Sequence, residues 1–586
     1  MNRIRTPDTM FFIVETETGS KDERERVEKA FNDALGRDAR GRKWLVEPLF
    51  PRSAGRPTRL ARYLRVNGSV EGPPQQWDKI AFQLAYHLSD ATGFKVRPDL
   101  PSSHFASPDV PALPPDRVDP DSPRLASGPG SPGGRLPGAA SKSWALEAIR
   151  VPQAWTLPLP PGGKSQGEGV VVAHPDTGYT RHPNLNLVNF DLGRDRDILD
   201  NDADALDPLE QFSFFGLELL QPGHGTTSAS VLAGEMVQGI KGSAPRAKIV
   251  PLRAMKSVWH VFDSDIARAV DYARFIKADV ISMSLGGEWF DALEEAIEDA
   301  IAEGIIVVAA AGNGVGFVVA PASYPACIAL GASNADSKTW VGGSRGPKVA
   351  ICAPGQDVWA AGYKFQGGKP PELEVKPRHG TTFAAALTAG VAALWLAHYG
   401  RKRLTDLYGK GGLQAAFLHA LTTKGFTKPD GWDTSNFGVG LVNAEALLSG
   451  DPPDPAVVFA ASGPDLASGA DVAGGAGSRA ASAQPFVPKS IVALFPELDR
   501  NELRKRLERM LKSKGDTLDA KLRRYEVELV RMFTERRAVW EAFMRDEAQI
   551  SDAPMLASGG PTRGTLGQSL IAQFASPMLL AEIAEV

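Results

Sequence analysis

His379-Gly380-Thr381-Thr382-Phe383-Ala384-Ala385-Ala386-Leu387-Thr388-Ala389-Gly390, running on into the apolar stretch Val391 to Leu396, is the segment on which the reading of the chain turns. A turn of small residues that opens directly into an Ala-rich helix points backbone N–H groups, and the positive end of the helix dipole, at whatever side chain sits on the turn. Thr382 holds that place. A hydroxyl there becomes a usable nucleophile only where a base, an orienting acid and an oxyanion donor converge on it.

Candidates for all three stand upstream. Asp176 closes the apolar run of Val170-Val171-Val172-Ala173-His174-Pro175-Asp176-Thr177-Gly178, an acid at the end of a buried strand where a turn begins. His224 lies in Gly223-His224-Gly225-Thr226-Thr227, just before the helix-like Ser228 to Gly234. Asn313 follows the buried strand Ile305 to Ala311 in Ala310-Ala311-Gly312-Asn313. Each has a bland reading, as turn acid, helix-start histidine and turn asparagine respectively. Their occurrence together, in this order and ahead of Thr382, favours the functional one.

Short apolar runs at Gly169 to Ala173, Ala247 to Leu252, Val280 to Met283, Ile305 to Ala310 and Ile328 to Gly331 alternate with helix-like stretches such as Asp265 to Lys277 and Asp291 to Glu303. That pattern predicts an α/β domain over 142–450, a parallel sheet covered on both faces with functional groups at the carboxyl ends of its strands. Residues 1–100 read as a separate β-α-β-β-α-β, ferredoxin-like α+β module: strand Met10 to Val14, helix Lys21 to Leu35, strands Trp44 to Leu49 and Leu60 to Val66, helix Trp77 to Leu88 and a last strand near Phe94 to Val96. Pro, Gly, Ser and Ala dominate 101–141 and 451–488, which read as disordered linkers. Residues 489–548 read as a helical hairpin. Leu503, Leu507, Met510 and Leu511 share a face of its first helix, and Leu518, Leu522, Tyr525, Leu529, Phe533, Trp540 and Phe543 recur along its second. That stripe is expected to dock on the main domain or on a second copy, with partner recruitment as the sharper alternative; 549–586 reads as a flexible tail.

At this point the chain resembles the subtilisin-like serine peptidases over Trp144 to Leu448. The order acid, base, nucleophile is the subtilisin order. Further segments are similar to the family's: His182-Pro183-Asn184-Leu185, Ser243-Ala244-Pro245-Arg246-Ala247-Lys248-Ile249, Ile281-Ser282-Met283-Ser284-Leu285-Gly286-Gly287, Cys352-Ala353-Pro354-Gly355 and Phe437-Gly438-Val439-Gly440-Leu441-Val442-Asn443-Ala444. The resemblance implies a subtilisin-like parallel sheet flanked by helices and an endopeptidase. Asp176 would orient His224, His224 would act as general base and then acid, and Asn313 would share the oxyanion with the N–H of residue 382. Ser284, Leu285, Gly286 and Gly287, with Ala310, Ala311 and Gly312, would line a cleft for a peptide or protein substrate bound as an added strand. The front module is similar to the family's inhibitory propeptide and would be an intramolecular inhibitor. The sequence departs from the family pattern at three points: Thr382 replaces serine, Ala386 replaces the usual proline, and Thr227 replaces a second histidine. The methyl of threonine restricts χ1. A catalytically silent, peptide-binding pseudoprotease is therefore the alternative.

Composition sets the outer limits. A chain of 586 residues with 43% hydrophobic content can hold a large core and one or two smaller domains. A net charge of -4 gives no nucleic-acid footprint. Cys327 and Cys352 are the two cysteines, which excludes a disulfide framework and reads as buried free thiols, with a single bridge as the alternative. No signal peptide or membrane span is read, so the expected location is cytoplasmic, with no membrane partner. No cofactor is required for the implied chemistry. The family leaves room for structural Ca²⁺, but the acids Asp195, Asp197, Asp200, Asp202, Asp204 and Asp207 lack the spacing of an EF-hand and read as a solvated loop, leaving the metal ligands unknown. Self-association through the carboxyl-terminal helices is a further expectation. A short phrase, a large apolar residue then Ala-Ser and Pro or Gly, recurs at Phe105 to Pro108, Leu125 to Gly128, Leu466 to Gly469, Leu556 to Gly559 and Phe574 to Pro577. It reads as compositional drift or as a self-docking or self-processing segment for the cleft.

Overall fold

The two ends of the chain belong together: Met1–Ser107 and Ala476–Val586 make one folding unit, and Pro108–Gly475 makes the other. The computed structural model describes residues 9–70, 77–102, 141–185, 189–210, 213–214, 217–218, 222–258, 261–365, 370–462, 485–545 and 575–584. Most of both expected linkers, and residues 549–574 of the expected tail, lie outside the described residues.

In the first unit, strands Thr9–Glu15, Leu45–Pro48, Tyr63–Ser69 and Lys95–Pro98 pair antiparallel in the order second, third, first, fourth, with helices Lys21–Leu35 and Trp77–Thr92 between them. The period of two in the first strand sends Met10, Phe12 and Val14 into one core with Val27 and Phe31 of one helix and Ala81, Ala85 and Leu88 of the other. The first helix opens with a reciprocal capping box in which Ser20 bonds the Glu23 N–H and Glu23 bonds that of Ser20.

Three expectations for the carboxyl-terminal region need correction. The hairpin is instead a run of four helices, Lys489–Leu494, Arg500–Leu511, Gly515–Glu535 and Arg537–Met544. The long stripe is broken because Arg536 leaves helical geometry at φ -123 and ψ 88, so Trp540 and Phe543 sit on a separate helix and fold back on Phe495. Second, the stripe expected to dock on the main domain or on a second copy packs within the first unit, on the front module. Leu518, Leu522, Tyr525, Leu529 and Phe533 are buried, and Tyr525 meets Tyr86 of the front module edge-on at 5.1 Å. Beside it Arg524 grips Asp90 through two 2.9 Å bonds, and the Tyr86 hydroxyl donates to Glu528 at 2.6 Å. Third, the linker expected over 451–488 and the tail expected over 549–586 are not structureless throughout: Pro455–Ser462 and Pro577–Ala584 are helices.

The second unit is built on a nine-stranded sheet. Across the sheet run Phe426–Thr427, Leu441–Val442, Val349–Pro354, Ile328–Ser333, Ile306–Ala310, Val280–Met283, Val171–Asp176, Lys248–Arg253 and Arg196–Asp197, parallel except at the Phe426–Thr427 edge. Val280, Ile306, Val308, Ala310, Ile328 and Leu330 share one core with the helices His224–Ala233 and Thr381–Tyr399, while the alternate residues Ile281, Met283, Val307 and Ala309 are buried as well. Covering both faces explains why these strands read as unbroken apolar runs. Helix Thr381–Tyr399 is apolar and long enough to cross a membrane, yet every residue of it is buried, which identifies a core helix. The chain leaves Val171–Asp176 for strands on one side and returns for Val280–Met283 on the other, so a topological switch point falls at the carboxyl end of the Asp176 strand. Both cysteines are free and buried.

Because the first unit is closed by its own carboxyl-terminal helices, cutting the chain between 103 and 140 should not release the front module. With a specific protease site inserted there, residues 9–102 are expected to co-elute with the remainder after cleavage. Tyr525→Ala, a buried aromatic truncation worth about 3–5 kcal/mol, should let the fragment separate. Quantitative loss of the fragment from the cleaved wild-type chain would refute the packing.

Candidate active site

Asp176 ends its strand fully buried, and its carboxylate is enclosed by donors. Oδ1 lies 2.8 Å from Nδ1 of His224 and accepts the Thr177 N–H at 2.7 Å, while Oδ2 accepts the Ser228 hydroxyl at 3.2 Å. Burial alone would push this carboxyl up. The His224 ring, by charge and hydrogen bond, and the Thr177 N–H hold it below its ordinary value instead. With Nδ1–H committed to Asp176, the Nε2 lone pair of His224 faces outward, and the Thr382 hydroxyl stands 3.5 Å from it. His224 and Thr382 are each nearly buried, at 6% and 7% exposure, so the pair meets in a largely dry site.

The turn that carries His224 is fastened from behind. Thr177 Oγ1 accepts the Gly225 N–H at 3.0 Å and donates to Asp207 Oδ2 at 2.6 Å, and that same oxygen accepts the Gly223 N–H at 2.9 Å. Asp207 belongs to the loop expected to be solvated. Asp200, Asp202 and Asp204 are exposed, whereas Asp195, Asp197 and Asp207 are buried, which corrects that expectation. Asp195 accepts the Ala205 N–H, and Asp197 pairs with Arg253. The buried acids are thus occupied by backbone and guanidinium, and among the described residues no group of three or more His, Cys, Asp or Glu side chains is placed to hold a metal ion.

Asn313 is exposed, yet its orientation is fixed. Its Oδ1 accepts both the Thr381 N–H and the Thr381 hydroxyl at 2.9 Å, leaving Nδ2 free to donate elsewhere. Gly380, at φ 151, shows where: a Cβ built on it would lie 3.6 Å from Asn313 Nδ2, 3.6 Å from Thr382 Cβ and 3.7 Å from Thr382 N. Those three atoms surround one small space that only glycine leaves open. The Thr382 N–H has no acceptor among the described residues. Two N–H donors beside a hydroxyl and its base can stabilise an oxygen that gains negative charge.

The expected peptide-lining residues divide. Ala310 ends a strand inside the sheet. Ala311 donates to Leu330 and accepts from Val319, and Gly312 donates to Thr381 Oγ1 and accepts from Ser344, so neither has backbone groups left for an added strand. Gly287 donates its N–H to the Ala320 carbonyl at 2.7 Å. Ser284 turns its hydroxyl inward onto the Thr382 carbonyl at 3.1 Å. Leu285 and Gly286 remain, with no backbone partner among the described residues.

Three contributors escaped the sequence reading. Thr381 orients Asn313, Asp207 holds the His224 turn, and His174 lies two residues before Asp176, on the same side of the strand, with Nε2 2.8 Å from Ser228 Oγ. A polar side chain in an apolar strand, in step with the acid, was the available signal for His174.

The family model described as the subtilase family matches residues 167–440. Thermitase of Thermoactinomyces vulgaris is 30% identical over 267 residues, which is 45% of this chain and 84% of that protein. M-protease of Shouchella clausii is 29% identical over 311 residues, 53% of this chain and 70% of the relative. Among solved structures, fervidolysin from Fervidobacterium pennivorans, described as a keratinolytic enzyme related to subtilisin, superposes with a TM-score of 0.50 at 22% identity, covering 76% of this chain and 61% of that one.

His174 gives the site a testable pH signature. Burial first, then the charge of His224, pull it below its ordinary value of 6.5 against the attraction of Asp176, so it sits neutral in the fold. The unfolded chain takes up that proton more readily. Stability is therefore full above about pH 6.5 and is lost as the pH falls towards the depressed folded value. The unfolding midpoint should drop from pH 7 to pH 5, and His174→Val should flatten that slope; an unchanged slope would mean that His174 is not held neutral.

Proposed function

The chain belongs to the subtilase family, and from that premise we propose that it is an endopeptidase that cuts peptide bonds with Thr382 as nucleophile. The observation that carries the proposal is the unbroken line of contacts from Asp176 through His224 to the Thr382 hydroxyl. Subtilases are serine peptidases acting on peptide or protein substrates, so threonine at this place is the point that needs an argument.

In this reading His224 Nε2 takes the proton of Thr382 Oγ1 as that oxygen attacks the scissile carbonyl. Asp176 holds the ring in the Nδ1–H tautomer and stabilises the imidazolium. The Thr382 N–H and Asn313 Nδ2 bond the tetrahedral oxyanion across the space left by Gly380. His224 then protonates the leaving amine, and water, activated by the same ring, releases the acyl group from the threonyl ester. Leu285 and Gly286 pair with the substrate backbone, since their groups are free to do so. The 3.5 Å between Oγ1 and Nε2 exceeds a formed hydrogen bond, and such contacts often tighten only when substrate is bound. A family-typical role for the front module, as an intramolecular inhibitor of the cleft, belongs to the same proposal.

Peptide hydrolysis and labelling by a fluorophosphonate probe test it. Thr382→Ser should raise turnover, Thr382→Ala and His224→Ala should abolish both readouts, and Asn313→Ala should lower kcat by roughly 10²–10³-fold. Wild-type turnover equal to that of Thr382→Ala, with peptide binding retained, would instead identify a pseudoprotease that holds peptides without cutting them. Inactivity of Thr382→Ser as well would remove the proposed chemistry from this site.

A further inference from the structure

One of the five recurring phrases is seated in the first unit. Ala575 and Ser576 are buried at 1% and 0% exposure. The Ser576 N–H and hydroxyl both donate to the carboxylate of Glu528, itself buried at 3%, and Oε2 of that carboxylate also takes the Tyr86 hydroxyl. Ser576 then caps the helix Pro577–Ala584: its Oγ accepts the Leu579 N–H at 3.2 Å and its carbonyl the Leu580 N–H at 2.8 Å. Pro577 faces solvent, and Leu579 is buried at 0%.

The seated copy explains the pattern of the phrase. Ala and Ser, identical in all five copies, are the two residues with no spare volume and with the bonds to Glu528. The position that varies between Pro and Gly is the exposed one. A larger residue at the Ala position has no room, and any residue without a hydroxyl at the Ser position leaves a buried carboxylate short of a donor.

We propose that this seat, centred on Glu528, is a recognition site for the Ala-Ser phrase, and that Phe105 to Val110 is its second occupant, exchanging with the tail. Four residues of that segment, Phe105-Ala106-Ser107-Pro108, repeat the tail's Phe574-Ala575-Ser576-Pro577, and Val110 falls where the tail has the buried Leu579. The same place holds Gly130, Asp471 or Pro561 in the other three copies, none of which fills an apolar pocket. Reach favours the same segment. The Pro101 carbonyl accepts from Arg531, one turn along the helix from Glu528, and Ser102 is buried. Ser107 follows five residues later, a span of up to about 17 Å. The seat is separate from the peptidase site, and the inference stands whatever Thr382 does.

A fluorescent peptide spanning residues 103–112 tests it by anisotropy with the full chain. Ser576→Val, which weakens the resident tail, should raise the peptide's affinity at least ten-fold over wild type, with unchanged far-ultraviolet circular dichroism. Ser107→Val in the peptide should lower binding at least ten-fold, and an unlabelled peptide of residues 572–584 should compete. The peptide-side change cannot unfold the protein, so the result does not depend on the chain variant alone. Absence of saturable binding, indifference to Ser107→Val, or failure of the tail peptide to compete would each overturn the proposal.

Discussion

A carboxylate with no exposed surface, at the end of a central strand, is the constraint around which the second unit is arranged. Burying an ionised carboxylate without partners is prohibitively costly. Asp176 is buried completely and is nonetheless held below its ordinary pKa, so its partners outweigh its desolvation. Those partners come from separate places: His224 and Ser228 from the first turns of one helix, Thr177 from the following turn, and Asp207 behind Thr177 from the acidic loop. The His224 turn cannot shift without leaving a buried polar atom unpaired. Its geometry is fixed by the same bonds that keep the carboxylate charged.

The other half of the site is fixed by packing. Helix Thr381–Tyr399 is buried along all its residues, and its small side chains let it lie close to its neighbours. At Gly390 a Cβ would come within 1.9 Å of Ser243 Oγ, on the segment that follows the His224 helix, and 3.2 Å from the Leu232 carbonyl in that helix. With no room there even for one Cβ, the two helices cannot slide past each other by a fraction of a turn. Thr382 and His224 therefore face each other because their helices are locked several turns away. The Ala and Gly content of the sequence carries the placement of Thr382 opposite His224 as well as core packing.

What could be read in advance was what is local. Strand ends and the glycine turns at His224 and Thr382 lie within a few residues of the side chains they position. The sheet followed from runs buried on both faces. What escaped depends on distant partners. Nothing near Tyr525 or Glu528 in the chain indicates that they meet Tyr86, because their stripe would fit any apolar surface equally well. Alternating acids read as solvated until Arg253 and the Gly223 N–H are seen to receive them. Ala311 and Gly312 carry a family-like motif, yet their backbone groups are consumed by Leu330, Val319, Ser344 and Thr381, which only the folded sheet reveals.

Threonine at position 382 poses a question of rotation more than of acidity. Its Oγ1 stands 3.5 Å from His224 Nε2, so a serine in the same place would face the same electrostatics. The difference is the methyl. It stiffens χ1, and it does so on a helix whose backbone is clamped by Asn313 through Thr381, by Ser284 through the Thr382 carbonyl, and by Gly390 further along. His224 cannot advance, since Asp176 holds the opposite edge of its ring. Closing the 3.5 Å gap to hydrogen-bond distance then falls to small tilts within one χ1 well. A tilt of about 30° off a staggered rotamer costs of order 0.5–1.5 kcal/mol, equivalent to roughly a factor of 2–13 in rate. That is small beside the roughly 10²–10³-fold that a single oxyanion donor is worth in enzymes of this chemistry. In the proposed mechanism the methyl is therefore compatible with slow turnover, whereas a methyl that blocked the substrate carbonyl would remove the chemistry and spare peptide binding elsewhere in the cleft.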